Sequence, residues 1–353
     1  MGVKHRIKRL VREGYARLLF HTGAHRLVDA IEPRRLTILA GHCVRAPSND
    51  ALPPDMTIAS DKLERILAWL ARRYDVVSVK DGHARLQQDG RRSLVALSMD
   101  DGYKDNRTHL LPLLQRLRVG ATIYLESRPL DERKPNWSHK FFACVDRVGL
   151  ATFVRRFVAA SKDARSNALL AALAGEGRET TYHVKRLLKY EVPARERSRV
   201  VDAIFAESGL DERALAETLY MTWEDARALR DAGVDLGGHT VNHEILSRLD
   251  ADGARAEIGG SRRALVRELG GEPASFAYPF GRRWDWNEDS VAAAREAGFA
   301  TATTTHAGTN RRGDDPYRLR RVMIDENARI HLIATEACGG FDLLRRFGLD
   351  LSD

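Results

Sequence analysis

Two rhythms of apolar and polar positions alternate along this chain. Short, almost continuously apolar runs occur in "RRLTILAGHCV" (34–44), around Val76–Val79, in "RRSLVALSMDDG" and in "ATIYLE". Further runs follow in "VDLGGHT", "PASFAYPFG", "ATATTT" and "YRLRRVMI". Strands covered on both faces read this way. Between them lie stretches whose apolar residues recur at helical spacing, such as Leu63, Ile66, Leu67 and Leu70. "NRTHLLPLLQRLRV", "WEDARALRDAG", "EIGGSRRALVRELGG" and "SVAAAREAG" continue the pattern. Strand followed by amphipathic helix, repeated, predicts a parallel α/β fold. The rhythm breaks between about Leu130 and Tyr220, where "ATFVRRFVAA" and "SRVVDAIFAESG" read as helices. The spacing therefore predicts a helical insertion at about 131–220, within one domain over 34–353.

Residues 1–33 form a separate helical segment in this reading. Val3, Ile7, Leu10, Val11 and Leu18 share one helical face, and most of Lys4, Arg6, Lys8, Arg9, Arg12 and Arg17 lie off it, against Glu13 alone. Such a helix either packs its apolar face on the body, with a solvated basic back, or lies on an anionic membrane surface.

Composition narrows the classes. A chain of 353 residues with 43% hydrophobic content can bury a sizeable core. Its three cysteines, Cys43, Cys144 and Cys338, have no zinc-motif spacing and suit a reducing compartment. No signal-like apolar region opens the chain and no run is long enough to span a bilayer, so the expectation is a cytoplasmic protein. The net charge of +8 comes with no nucleic-acid motif, and no nucleic-acid partner is expected.

The chemistry gathers at the carboxyl ends of the expected strands, which form the functional face of barrels and open parallel sheets. His42 ends the first strand and Asp100-Asp101 ends another. His239 and Tyr278-Pro279-Phe280-Gly281 end two later ones. An acidic pair at a strand tip is either solvated or turned into a cleft. "HTVNH" places His239 and His243 four apart, on one side of the chain if the turn is helical. Two imidazoles and one carboxylate make a three-ligand site with open positions, a pattern suited to catalytic zinc and also compatible with iron, cobalt or manganese.

"SMDDGYKDN", "HTVNH" and "FAYPFG", in this order, resemble the motifs of the polysaccharide deacetylases, carbohydrate esterase family four, also called the NodB-homology domain. The resemblance runs from about Arg35 to Val322. It extends to "LTILAGHCV", to Trp137 at the opening of the helical stretch, and to "GFATATTTHAGTNRRGDDPYRLRRV". These segments resemble the bacterial branch acting in exopolysaccharide and surface-glycan assembly. The resemblance implies a distorted (β/α)7-type barrel and a metal-dependent amidohydrolase that removes an N-acyl group, acetyl or formyl, from an amino sugar.

Residue by residue, the resemblance implies Asp100 as general base and Asp101, His239 and His243 as ligands of a divalent metal, zinc first. Thr240 between the histidines is expected to cap a helix. The Phe280 amide is implied as the oxyanion donor; Tyr278, Pro279 and Trp284 are candidate substrate contacts, and the Tyr278 and Phe280 rings read equally as ordinary core aromatics. Trp284, Asp285 and Trp286 either stack a sugar or pin a loop. The family's usual Arg before Pro-Tyr-Gly is Ala277 here, so the partner of Asp100 has to come from elsewhere, with Arg320 or Arg321 as candidates; Arg321 is also a candidate substrate contact. The motif that carries the general acid has no clean match. His42 ranks first for that role, ahead of His306 and His331, with Glu126 as a further residue of the cleft. The expected partner is an amino-sugar glycan or its nucleotide- or lipid-linked precursor, with peripheral contact to an anionic membrane. Two other readings stay open: a glycan-binding descendant without turnover, and a hydrolase of a small non-sugar amide.

Overall fold

The computed structural model describes residues 3–45, 54–173 and 177–351, with the side chains of 3–6 left undescribed. Chain contacts separate two compact units, one built from Met1–Ser127 and Tyr220–Asp353 and the other from Arg128–Leu219.

The first unit holds a curled parallel sheet. Its strands are β1 (Leu36–Gly41), β4 (Asp75–Val77), β5 (Leu94–Met99), β6 (Thr122–Leu125), β7 (Asp235–Gly238), β8 (Ser275–Ala277), β9 (Thr301–Thr303) and β10 (Val322–Met323). A separate parallel pair, β2 (Cys43–Arg45) and β3 (Thr57–Ala59), lies outside it. Hydrogen bonding runs in the order β10-β1-β5-β6-β7-β8-β9, with β4 beside the first half of β5. β1 and β5 are buried at all six positions and pair from Leu36↔Leu94 to Gly41↔Met99. That double burial is why their sequences are unbroken apolar runs rather than alternations.

The strand expected from "YRLRRVMI" is reduced to Val322–Met323, because the segment serves two neighbours in turn. Leu319 bridges to Thr303 beyond β9, and Val322 pairs with Leu39 of β1. The same segment thus links the two ends of the sheet and gives the distorted (β/α)7-type barrel. Glycines allow the close packing within it. A Cβ on Gly237 of β7 would meet the Ser275 carbonyl at 2.5 Å and the Tyr124 ring at 2.7 Å.

The N-terminal helix Val3–His21 corrects the expectation that its apolar stripe faces the body. Contact with the body runs through the other side: Ala16 and Leu19 are buried, Tyr15 donates to the Gly340 carbonyl at 3.2 Å, and Arg12 lies 3.8 Å from Glu336. Ile7, Leu10, Val11 and Leu18 are instead 52–70% exposed, and Leu27 and Ile31 of the next helix, His25–Ile31, are 71% and 73% exposed. The expected roles of the Val3, Lys4 and Arg6 side chains lie outside the described residues.

Among its described residues the second unit consists of helices joined by short turns, with no strand. Phe141, Phe153 and Phe157 are fully buried in it, with ring centroids 5.0 and 6.0 Å apart in succession.

Candidate active site

Asp100 and Asp101 leave β5 in different directions. Alternation continues the face of Leu94, Ala96 and Ser98 to Asp100, and Arg321 meets both Ser98 and Asp100 there. Its guanidinium donates to Asp100 Oδ1 at 2.7 Å and Oδ2 at 2.9 Å, and its Nε donates to the Thr304 carbonyl at 2.8 Å. Arg321 is fully buried, and Asp100 nearly so. Burial alone would push the Asp100 carboxyl up, but the charges of Arg321 and then of His239 hold it below its usual range. Of the two arginines at the end of the barrel, Arg321 therefore partners Asp100, and Arg320 is exposed. With its three nitrogens engaged inward, Arg321 holds a carboxylate and is not placed to receive a ligand.

Asp101 turns the other way because its backbone adopts φ 72°, in the left-handed region. Thr240 (φ 68°), His243 (φ 56°) and Phe280 (φ 61°) share this conformation. Non-glycine residues held there cost roughly 1–3 kcal/mol each and persist where the surroundings over-determine them. Four such residues at one end of one sheet mark where side-chain direction was set at the expense of backbone comfort.

The His239–His243 segment is not helical, which corrects the expected helical turn. Thr240 does not cap a helix; its Oγ1 accepts from the His243 amide at 2.9 Å and closes a tight turn. Glu257, on helix Ala251–Leu269, secures the turn from outside. It accepts from the Val241 and Asn242 amides at 3.0 and 2.8 Å and from Asn242 Nδ2 at 2.6 Å. The two rings end 4.9 Å apart, and Phe280 packs edge-on against His243 at 4.6 Å.

Asp101, His239 and His243 each offer one atom to a point where all three atoms lie within 4.8 Å of one another. His239 Nε2 and His243 Nε2 are 3.2 and 3.3 Å from Asp101 Oδ1, yet that buried oxygen has no hydrogen-bond donor aligned on it. His239 Nδ1 lies 2.7 Å from the Ala277 carbonyl, so a proton is held on Nδ1 and Nε2 is the nitrogen turned to Asp101, the one that would ligate a cation on losing its proton. Two nitrogen donors, one carboxylate oxygen and a tautomer fixed from behind fit a divalent cation. Burial would raise the Asp101 carboxyl, but the charges and contacts of His243 and His239 bring it well below its usual range.

His42 sits half-buried at the end of β1, close enough for its charge to act on both Asp100 and Asp101. His331 is elsewhere, with Nε2 2.8 Å from Glu13 of the N-terminal helix. Glu126 is buried at the end of β6. Tyr278 and Pro279, expected to line the cleft, are buried. Tyr278 belongs to an apolar cluster, donates to the Tyr317 carbonyl at 3.1 Å and stacks on Trp286 at 5.3 Å. The two tryptophans divide the expected roles: Trp286 pins the loop, and Trp284 remains 50% exposed.

Three residues of the site were not singled out from sequence. Tyr103, in "DDGYKDN", is buried against Asp101, and burial and that charge push its phenol well up. Ser98 adds a hydroxyl 3.4 Å from Arg321. Glu257 carried no readable signal, since it lies 14 residues past His243 on a separate helix.

Comparison with known proteins places this geometry among relatives. The polysaccharide deacetylase family model matches residues 87–302. YxkH of Bacillus subtilis (strain 168), assigned to the polysaccharide deacetylases, is 24% identical over 112 residues, which are 32% of this chain and 39% of that protein. The match thus spans well under half of that relative's length. Among solved structures, the Streptococcus pyogenes deacetylase PplD in complex with acetate superposes with a TM-score of 0.56 at 16% identity, covering 87% of this chain and 99% of that one. IcaB from Ammonifex degensii gives 0.54 at 17%, covering 87% and 98%. A de-N-acetylase from Aggregatibacter actinomycetemcomitans gives 0.53 at 17%, covering 85% and 98%. At these identities the structural likeness is one of fold.

Proposed function

The chain belongs to the polysaccharide deacetylase family, and from that premise we propose that it hydrolyses the N-acyl group, acetyl in the first instance, of an amino sugar within a glycan or glycan precursor. The observation that carries the reading is the division of labour at the end of β5. Asp101 faces two imidazoles, while the adjacent Asp100 is gripped by a buried arginine. One carboxylate is arranged to hold a cation and the other to hold a proton.

Asp101, His239 and His243 would hold the divalent ion, zinc first among the candidates. Bound there, such an ion supplies Lewis acidity, lowering the pKa of water and polarising the acyl oxygen. Asp100 takes the proton of the attacking water, and Arg321 keeps its carboxylate ionised and oriented until then. The water oxygen bonds to the acyl carbon, and the Phe280 amide stabilises the developing oxyanion. The carbon–nitrogen bond then breaks, the leaving amine takes a proton from His42, and an amino sugar and a carboxylic acid result. Trp284 offers an exposed ring face to the sugar.

The test is a comparison of wild type with Asp100→Asn and Asp101→Asn for bound metal and for acetate or formate release from acylated amino sugars. Asp100→Asn should keep metal and lose ~10²- to 10⁴-fold in rate. Asp101→Asn should lose metal. Full activity in Asp100→Asn would overturn the assignment.

We also propose peripheral contact with an anionic membrane, on the cytoplasmic side, where three buried free thiols are at home. Among the described residues no helix is long and apolar enough to cross a membrane. The outward stripe Ile7, Leu10, Val11 and Leu18 is accompanied by exposed Arg9, Arg17 and Arg26, a pairing that suits an anionic lipid surface. Binding to phosphatidylglycerol vesicles, absent on phosphatidylcholine and lost in Leu10→Ser/Leu18→Ser, supports this. A monomer–dimer change in that variant with no vesicle binding by wild type would assign the face to self-association instead.

A further inference from the structure

The loop that follows Phe280 carries more charge than the hydrolysis needs. Arg282 and Arg283 are exposed immediately before Trp284, their guanidinium carbons 5.9 and 5.6 Å from the centre of its ring. The loop is not loose. Asp285, fully buried, accepts from the Arg282 amide at 3.1 Å and its carbonyl accepts from the Ser247 amide at 3.1 Å; Ser247 Oγ donates to the Trp284 carbonyl at 2.6 Å. The exposed tryptophan and its two cations are therefore presented from a fixed turn.

A third cation joins them from the barrel-closing segment. His306 is half-buried beside Trp286, at 5.9 Å, and its carbonyl accepts from the Arg321 amide at 2.9 Å. Burial, and then the charges of Arg320 and Arg283, hold its imidazole below the usual range. Among the described residues, Arg282, Arg283 and Arg320 make no ion pair with any carboxylate. Arg318, a few residues away, shows the contrast: it is tied to Glu288 at 2.6 Å and Asp315 at 3.1 Å.

The rim also lies close to the reacting groups. Arg282 is two residues from Phe280, at most ~7.6 Å along the chain, and Phe280 touches His243. Arg320 adjoins Arg321, which holds Asp100. Exposed cations without carboxylate partners along one rim favour an anion bound there.

Resting on the hydrolase reading above, we infer that Arg282, Arg283 and Arg320 form an anion subsite beside the hydrolytic centre, and that the acylamino sugar taken there carries a diphosphate. In a 2-acylamino sugar linked through C1, the amide and the first phosphate sit on neighbouring carbons. A substrate held with its amide at Asp100 and Asp101 thus carries its phosphates to the rim, with Trp284 against the sugar or against the group beyond it. A nucleotide and a polyprenyl chain both supply this diphosphate, and the subsite recognises the part they share.

The test uses the full chain, UDP-N-acetylglucosamine, polyprenyl-diphosphate N-acetylglucosamine, neutral chitotriose and inorganic pyrophosphate. At ~50 mM salt at least one diphosphate substrate should exceed chitotriose by ~10-fold or more in kcat/KM, and the advantage should shrink by ~300 mM. Which of the two is preferred identifies the source. Arg282→Gln/Arg283→Gln/Arg320→Gln should lower the ratio of diphosphate to neutral turnover ~10-fold and lose pyrophosphate binding by calorimetry, and Arg283→Lys should retain part of both. Equal or better turnover of chitotriose, or pyrophosphate binding unaffected in the triple variant, would overturn the subsite. Arginine-dependent pyrophosphate binding without acid release from any sugar would uphold the subsite and sink the hydrolase reading instead.

Discussion

Replacing Arg321 with methionine removes the charge that Asp100 faces while preserving much of the side-chain volume. The pair is bidentate at 2.7 and 2.9 Å, with side-chain exposure of 0% and 5%. At an effective dielectric near 20, two unit charges about 4 Å apart attract by about 4 kcal/mol. Removing one member of a buried pair costs about 3–5 kcal/mol, because the other is left desolvated. The expected loss at pH 7 is therefore about 3–5 kcal/mol by urea denaturation, measured with and without chelator. In wild type the Asp100 pKa is depressed, so its stabilisation is present above the unfolded aspartate value of about 3.9 and is lost as pH falls through the folded one. In the variant the partner is gone, burial dominates, and Asp100 penalises the folded state increasingly as pH rises above about 3.9. The gap between the two proteins should narrow in acid. Asp100→Asn in the variant background should recover part of the loss. A cost under about 1 kcal/mol, unchanged between pH 4 and 7 and unaffected by Asp100→Asn, would refute the reasoning.

Glu257→Ala should loosen the histidine turn and weaken metal binding ~10- to 100-fold, as removal of a ligand's supporting hydrogen bonds does; metal titration of the purified variant checks this. Gly237→Ala should destabilise the barrel by at least about 1–3 kcal/mol, since its methyl group meets a backbone carbonyl at 2.5 Å; a melting temperature equal to wild type would contradict the packing. Burial raises the Asp105 carboxyl to about 6, ahead of opposing contacts from the Val44 amide and Arg45. Its folded state favours the proton, so the contribution is intact below the unfolded value of about 3.9 and is lost as pH rises through 6. Asp105→Asn should flatten the decline in stability between pH 4 and 7, read from denaturation midpoints across that range.

How much of this was legible depended on whether local pattern or distant pairing decided it. The parallel alternation and the acids and imidazoles at strand ends came through, because double burial and strand polarity leave marks within a few residues. The choice between Arg320 and Arg321 did not. It rests on the side toward which a short, shared strand turns each residue, and Thr303 and Leu39 set that from opposite flanks. The N-terminal helix misled for a related reason. Its broadest apolar stripe is not its contact face, since Tyr15, Ala16 and Leu19, with Arg12 on Glu336, supply enough contact to seat it. The turn between the histidines, with left-handed Thr240 and His243, had no glycine to announce it, and Glu257 supports it from a separate helix.

The barrel-closing segment also has a consequence for synthesis. Asp100 and Arg321 are separated by 221 positions in the chain. At typical elongation rates of about 5–20 residues per second, the ribosome needs roughly 10–45 s to travel between them. Throughout that interval β1 has no partner on the side that β10 will occupy, and the carboxylate ending β5 has no guanidinium to accompany it into the interior. A nascent chain can therefore build helices and inner strands but cannot seal the ring, and the charge pair that grips Asp100 waits until translation has passed Arg321.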